Sequence, residues 1–238
     1  MFNTDFNFYA FCLIIALILN TFFVCKNTKV FSFSKVELLF LLFYEYVGIF
    51  LGGKLGGYII HLDNLNGKTF CDIGFYSYGC LIGLVIFLFI YKLHFKISYK
   101  VLMYVLGPIF PLMYAVGKIG CFLVGCCYGI KYSGLFSVVY NYSEHTLKGV
   151  SLFPIQLVEA IIFFIIFLYF IKKFYKYSFN IRTLCLLCLS CSISKFILDF
   201  FRYNHYGKLI TLNQIISLIF IIGSLIVIIR NRKITKNK

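Results

Sequence analysis

The sequence predicts an all-α polytopic membrane protein of seven transmembrane helices, its N-terminus outside and its C-terminus cytoplasmic, on three observations. The 238 residues are 61% hydrophobic and only 13% charged, with a mean hydropathy of +0.92, whereas a soluble domain carries about 25% charged residues. Seven segments meet or approach the ~20 apolar residues that cross a bilayer core of about 30 Å. Lys and Arg also crowd into alternate connections between those segments. A net charge of +15 would suggest nucleic acid in a polar chain. Here the positive-inside bias accounts for it, so the expected partner is the lipid bilayer and no nucleic acid.

The segments fall at 6–25, 36–60, 74–91, 101–128, 155–171, 183–201 and 209–229. The first begins at Phe6 without a preceding basic residue and continues through Asn20, unlike a signal peptide, and is read as a retained span. Between spans, one set of connections holds Lys26, Lys29, Lys35; Lys92, Lys96, Lys100; Lys172, Lys173, Lys176, Arg182; and the basic tail from Arg230 to Lys238, fifteen residues in all. The other set holds five: Lys68, Lys131, Lys148, Arg202 and Lys208. That asymmetry fixes the expected orientation. With no repeat or low-complexity tract, residues 1–238 are expected to form one membrane domain.

Three basic residues lie inside spans, Lys54, Lys118 and Lys195. An ionisable group at mid-span costs about 2.5–3.5 kcal/mol on insertion scales, so each is either snorkelling to the interface or functional. The expected orientation puts Lys54, Lys118, the Tyr76–Tyr78 entry, Gln156 with Glu159, and Lys195, Asp199 and Arg202 at one depth, the outer third. Lys195, Asp199 and Arg202 follow i, i+4, i+7 on one helical face. That spacing fits an intrahelical ion pair, or a cationic surface for an anionic head group with Asp199 holding its geometry. Glycines surround two of the lysines, in Gly52-Gly53-Lys54-Leu55-Gly56-Gly57 and in Gly117-Lys118-Ile119-Gly120. They suit close helix packing, and equally a close approach of backbone to phosphate oxygens.

Most of the ten Cys sit in apolar runs, where thiols act as small hydrophobes, so a disulfide framework is not expected. Cys121, Cys126 and Cys127 have no His or carboxylate beside them at zinc-like spacing, so packing and no metal site is the expectation. Cys185, Cys188 and Cys191 read as a packing stripe.

These residues resemble the prolipoprotein diacylglyceryl transferases of bacterial inner membranes. Gly117-Lys118-Ile119-Gly120-Cys121-Phe122-Leu123-Val124-Gly125-Cys126-Cys127-Tyr128-Gly129 is similar to that family's G-R-x-G-N-F-x-N-G-E-x-x-G, in a Cys-Cys-Tyr-Gly variant. In the family's order, Gly52-Gly53-Lys54-Leu55-Gly56 is similar to G-G-R-L-G, Tyr78-Gly79-Cys80-Leu81 to H-G-G-L, and Phe153-Pro154-Ile155-Gln156-Leu157-Val158-Glu159 to H-P-x-Q-L-Y-E. Lys195 to Arg202 resembles R-F-x-x-E-x-x-R, and Leu212-Asn213-Gln214 a late Gln element.

The resemblance implies transfer of the diacylglyceryl group of phosphatidylglycerol to the lipobox cysteine thiol of a prolipoprotein, in the bacterial cytoplasmic (inner) membrane and with no cofactor. It implies catalytic roles for Tyr78, Lys118, Lys195 and Asp199. Substrate binding falls to Lys54, Gly117, Gly120, Cys121, Cys126, Tyr128, Gln156, Glu159 and Arg202. Three family Arg are Lys here, the signature Asn and Glu are Cys121 and Cys126, and the two His are Tyr78 and Phe153. The changes remove a His and a Glu that could move protons, and Lys lacks the bidentate fork of Arg. Two rival readings remain open on the sequence: a non-catalytic or differently specific paralogue that binds or transports an anionic lipid or small substrate, and a thiol oxidoreductase working through Cys126 and Cys127.

Overall fold

The structure, a computed structural model, describes residues 8–60, 62, 75–141, 143, 146–177, 180–205 and 207–236. Phe6, Lys68, Glu144 and Lys238, on which parts of the topology expectation rest, lie outside them. Among the described residues, seven helical stretches are long and apolar enough to cross a membrane, which makes the chain an all-α, multi-pass membrane protein.

Helix α1 runs Phe8–Val30, five residues past the expected end, and α2 runs Lys35–Ile60. A reciprocal cap starts α2: the Glu37 amide donates to Ser34 Oγ at 3.2 Å and the Ser34 amide to Glu37 Oε2 at 2.7 Å. Helix α3 is Ser77–Phe95. The fourth span, expected as one helix over 101–128, is broken. Helix α4, Tyr99–Leu106, gives way to a 3-10 turn at Gly107–Ile109 before α5, Phe110–Val124. Pro108 has no N–H for the ladder there and Gly107 tolerates the tightening. Helix α5 also stops four residues early. Gly125 takes a left-handed φ of 78°, its amide donates to Cys121 O and Phe122 O, and the Cys126 amide donates back to Cys121 O at 3.0 Å. That is a Schellman cap, and it turns the chain back on its own helix end.

A two-residue hairpin follows, with β1 (Val138–Val139) antiparallel to β2 (Ser151–Leu152). Helix α6 is Ile155–Tyr177, α7 is Ile181–Asp199 and α8 is Leu212–Lys236. Asn180 caps α7 by accepting the Arg182 amide at 2.6 Å. Thr211 and Gln214 form a second reciprocal cap at α8, at 3.0 and 3.3 Å.

The chain packs as two compact units. One comprises residues 24–105. There Gly48, Gly52 and Gly56, four apart on α2, lie against Gly79 and Gly83 on α3: a Cβ built on Gly56 would come 2.8 Å from Gly79 Cα, and one on Gly83 would strike Gly48 O. Only glycine permits that backbone approach. Leu41, Leu88 and Tyr91 are buried beside it, and the Tyr91 hydroxyl donates to Glu37 O at 3.0 Å. The other unit comprises residues 1–23 and 106–238. Its core joins Ile109, Leu112 and Phe167, with Leu19 and Phe23 of α1 packed on them.

Candidate active site

Helix α6 starts directly behind Pro154, and its first turns bury Gln156 and Glu159 completely. Glu159 is the hub of the second unit described above. Lys118 of α5 sets its Nζ 2.9 Å from Oε2, and Lys195 of α7 sets its Nζ 2.7 Å from Oε1. Arg202, just past α7, donates from one terminal nitrogen to both oxygens, at 2.8 and 3.0 Å. The Tyr114 hydroxyl donates to Oε1 at 3.2 Å. Its ring faces both ammonium groups, 5.2 Å from Lys118 Nζ and 5.4 Å from Lys195 Nζ. Charge-assisted bonds of this kind are about twice as strong as neutral ones, and breaking a buried set costs more than forming it gains.

Asp199, the last residue of α7, is 1% exposed. It accepts from Asn213 Nδ2 at 2.9 Å and from the Thr211 hydroxyl, and faces Arg202 Nε at 3.8 Å. The i, i+4 partner Lys195 therefore turns to α6 rather than to Asp199, and the carboxylate that holds the cations is Glu159. Three cations against two carboxylates leave one surplus positive charge. Arg202 Nε and Gln156 Oε1 are buried without a hydrogen-bond partner among the described residues, one donor and one acceptor left for a ligand.

Backbone pairing fixes Arg202 against the chain that follows α5. Gly129 forms an antiparallel bridge with Arg202, the Ile130 amide donates to Phe201 O at 3.0 Å, and the Tyr203 amide donates to Tyr128 O at 3.2 Å. The Tyr128 and Tyr203 rings lie 5.2 Å apart. Any side chain at Gly129 would strike Phe153 O, so this position requires glycine. Gln156 Nε2 donates to Cys126 O at 2.8 Å and ties the turn to α6.

The Schellman turn also gathers thiols. The Cys121, Cys126 and Cys127 sulfurs all lie within 4.8 Å of one another. Cys121 is buried, Cys126 half-buried and Cys127 exposed, and Cys127 holds a left-handed φ of 56°. Hydrogen bonds from Cys121 and Cys126, then the charges of Lys118 and Arg202, hold the Cys127 thiol well below its ordinary range. The same sulfur hydrogen bonds, with burial, push Cys126 up.

The sequence profile of prolipoprotein diacylglyceryl transferases matches residues 1–230. The chain belongs to this family. It is 28% identical to the phosphatidylglycerol–prolipoprotein diacylglyceryl transferase 2 of Clostridium perfringens over 188 residues, 74% of this chain and 73% of that one. The Clostridium tetani phosphatidylglycerol–prolipoprotein diacylglyceryl transferase is 26% identical over 203 residues, 83% of this chain and 82% of that one. That of Dehalococcoides mccartyi is 39% identical over 113 residues, 45% of this chain and 42% of that one.

In this diacylglyceryl transferase family member the residues expected at one site divide between the two units. Lys118, Gln156, Glu159, Lys195, Asp199 and Arg202 converge in one, beside Cys121, Cys126 and Tyr128. Lys54 and Tyr78 belong to residues 24–105, where Lys54 Nζ lies 5.3 Å from the Phe75 ring and the Tyr78 ring 5.7 Å from that of Tyr76. The two signature glycines differ. A Cβ on Gly120 would come within 3.1 Å of Tyr9 and Cys12 of α1, a packing contact, whereas one on Gly117 meets nothing within 4 Å among the described residues. Sequence reasoning missed Tyr114 and Thr211. Tyr114 sits one turn before Lys118, a spacing that could have flagged it.

Proposed function

We propose that this protein transfers the diacylglyceryl group of phosphatidylglycerol to the lipobox cysteine thiol of prolipoproteins, in the bacterial cytoplasmic membrane and with its basic loops inside. The observation that carries the reading is the buried pair Glu159 and Asp199 with three cations, which leaves one positive charge in excess in a member of the diacylglyceryl transferase family. The phosphodiester of phosphatidylglycerol supplies the single negative charge this surplus calls for.

In the reaction the acceptor sulfur attacks the glyceryl carbon next to the phosphodiester oxygen. The C–S bond forms as the C–O bond breaks, and the electron pair leaves with glycerol phosphate. Negative charge grows on that phosphate, so cations already held in place by Glu159 stabilise the transition state more than the ground state. Lys118, Lys195 and Arg202 are assigned that role. Asp199, itself held by Asn213 and Thr211, orients Arg202, whose Nε is the donor left over. Gln156 presents Oε1 to the glycerol hydroxyls. Gly117 leaves room beside Lys118, while Gly120 and Tyr128 shape the turn. Lys54 and Tyr78 keep the parts their motifs imply, a phosphate contact and a hydrogen-bond or proton partner.

The test is direct. Purified protein is incubated with phosphatidylglycerol micelles and a lipobox peptide, and the peptide is weighed by mass spectrometry. A mass gain of one diacylglyceryl group, matched mole for mole by glycerol phosphate, is expected. A peptide of unchanged mass with lipid still bound to the protein would establish the non-catalytic lipid-binding reading instead.

A further inference from the structure

The proposed reaction needs a thiolate, and a free thiol of pKa about 8.5 is only a few per cent ionised at neutral pH. The positions where the family motifs carry a His and the signature Glu hold Tyr78 and Cys126 here, so proton acceptors are scarce. At the same place the chain brings three sulfurs together. Space-filling explains three small side chains but does not require their Sγ atoms to converge. The convergence follows from the turn: Cys121 sits in the last turn of α5, the Gly125 cap reverses the chain, and the left-handed Cys127 aims its neighbourhood back at the helix end.

We propose that Cys121, Cys126 and Cys127 form a three-thiolate site for a thiophilic d10 dication of the zinc class, whose open fourth position takes the acceptor thiol. Zinc–sulfur bonds of about 2.3 Å in a tetrahedron put sulfurs roughly 3.8 Å apart. The three Sγ atoms already lie within 4.8 Å of one another, so about 1 Å of side-chain adjustment closes the site. Exposure of Cys127 leaves one side of the triangle open to a fourth ligand. Three thiols and a dication give a complex of net charge −1 and release three protons.

A thiol that binds a dication is deprotonated outright. The acceptor cysteine would enter the fourth position and lose its proton to solvent, and its sulfur would then attack the glyceryl carbon as glycerol phosphate departs. The thioether formed is neutral, a poorer ligand than a thiolate, and leaves. This last step rests on the transferase reading; metal binding does not.

The experiment uses the full chain in detergent, reduced and stripped by chelator, and titrated with Co2+. The expected result is a thiolate-to-cobalt charge-transfer band that saturates at one equivalent and is displaced by Zn2+. Cys127→Ala loses the band, Cys127→His keeps one-to-one binding with a weaker band, and Cys185→Ser/Cys188→Ser/Cys191→Ser leaves it intact. A lipobox peptide shifts the cobalt d–d spectrum and its Cys→Ser counterpart does not. Absence of the band in the full chain, or a band unchanged in Cys127→Ala, overturns the site. In the transfer assay the stripped protein should be at least tenfold slower and recover on adding Zn2+; equal rates overturn the metal's part in transfer. If cobalt binds as expected and no form transfers, the transferase reading fails and the metal site stands.

Discussion

Glu159→Gln keeps the shape of the side chain and removes its charge, and the structure sets what that should do. Three cations contact the carboxylate at 2.7, 2.8 and 2.9 Å, in a residue that is 0% exposed. Gln can accept one of these bonds but cannot neutralise any of them. Removing one partner from a buried ion cluster costs about 3–5 kcal/mol, chiefly because the remaining charges are left uncompensated. For a chain of this size that corresponds to a fall in Tm on the order of 10 °C. The chain has no Trp and ten Cys, so unfolding is best followed with a fluorogenic thiol dye. Asp199→Asn is the control: its nearest cation is at 3.8 Å and its other partners are neutral donors, so the loss should be about 1 kcal/mol. A second change separates charge from shape. If repulsion among the orphaned cations is the cause, Lys195→Met should restore part of the stability lost in Glu159→Gln, a coupling visible in a double-mutant cycle. A Glu159→Gln protein that melts within 2 °C of the parent, at about the level of Asp199→Asn, would refute the hub.

Lys118→Ala should slow transfer by at least tenfold, about 1.4 kcal/mol, while Lys118→Arg should keep or raise the rate because Arg brings a bidentate donor. Transfer assays on both variants decide it, and a parental rate in Lys118→Ala would remove this residue from the phosphate site. Gly83→Val should destabilise by 1–3 kcal/mol or more, since its Cβ would strike Gly48 O and come 2.7 Å from Gly52 Cα. Gly117→Ala, whose Cβ meets nothing within 4 Å among the described residues, should leave Tm unchanged, and dye-monitored melting of both tests the contrast. A reporter active only in the cytoplasm should work when fused at Lys173 or Lys238 and fail at Glu144; activity at Glu144 would mean that the span count is wrong in the 101–154 region, where the signature helix would re-enter.

The spans were legible because a run of apolar side chains long enough to cross lipid has few alternatives. Breaks inside them were less so. Pro108 was visible, yet hydropathy alone carried the fourth span across it, and the end of α5 depends on Gly125 adopting a left-handed conformation that a hydropathy window cannot register. Lys118, Lys195 and Arg202, singled out in the sequence because a cation is costly in lipid, meet on one carboxylate, whereas Lys54, grouped with them by depth, belongs to the other unit. Their common partner was not legible. Glu159 lies 36 residues from Lys195 and 43 from Arg202, and no spacing rule spans such separations, so the nearer Asp199 drew the assignment by i, i+4 logic. The glycines around Lys54 look like those around Lys118 in sequence, but Gly52 and Gly56 meet another helix's backbone and a Cβ at Gly117 meets nothing within 4 Å among the described residues. Only coordinates separate the two uses.

Where the motifs of this family show four Arg, the chain keeps a guanidinium only at Arg202 and uses ammonium groups at Lys54, Lys118 and Lys195. The geometry makes that division intelligible. Lys118 and Lys195 each place one point charge on one oxygen of Glu159, a contact that needs no planar fork. Arg202 alone spans both oxygens from one end of its guanidinium and keeps Nε, at the other end, for Asp199 or a ligand. A Lys there could hold Glu159 but would have no second, fixed direction in which to donate. In the proposed function, the position that both clamps the carboxylate and faces the lipid phosphate is thus the one that keeps Arg, and backbone pairing with Gly129 holds it in place.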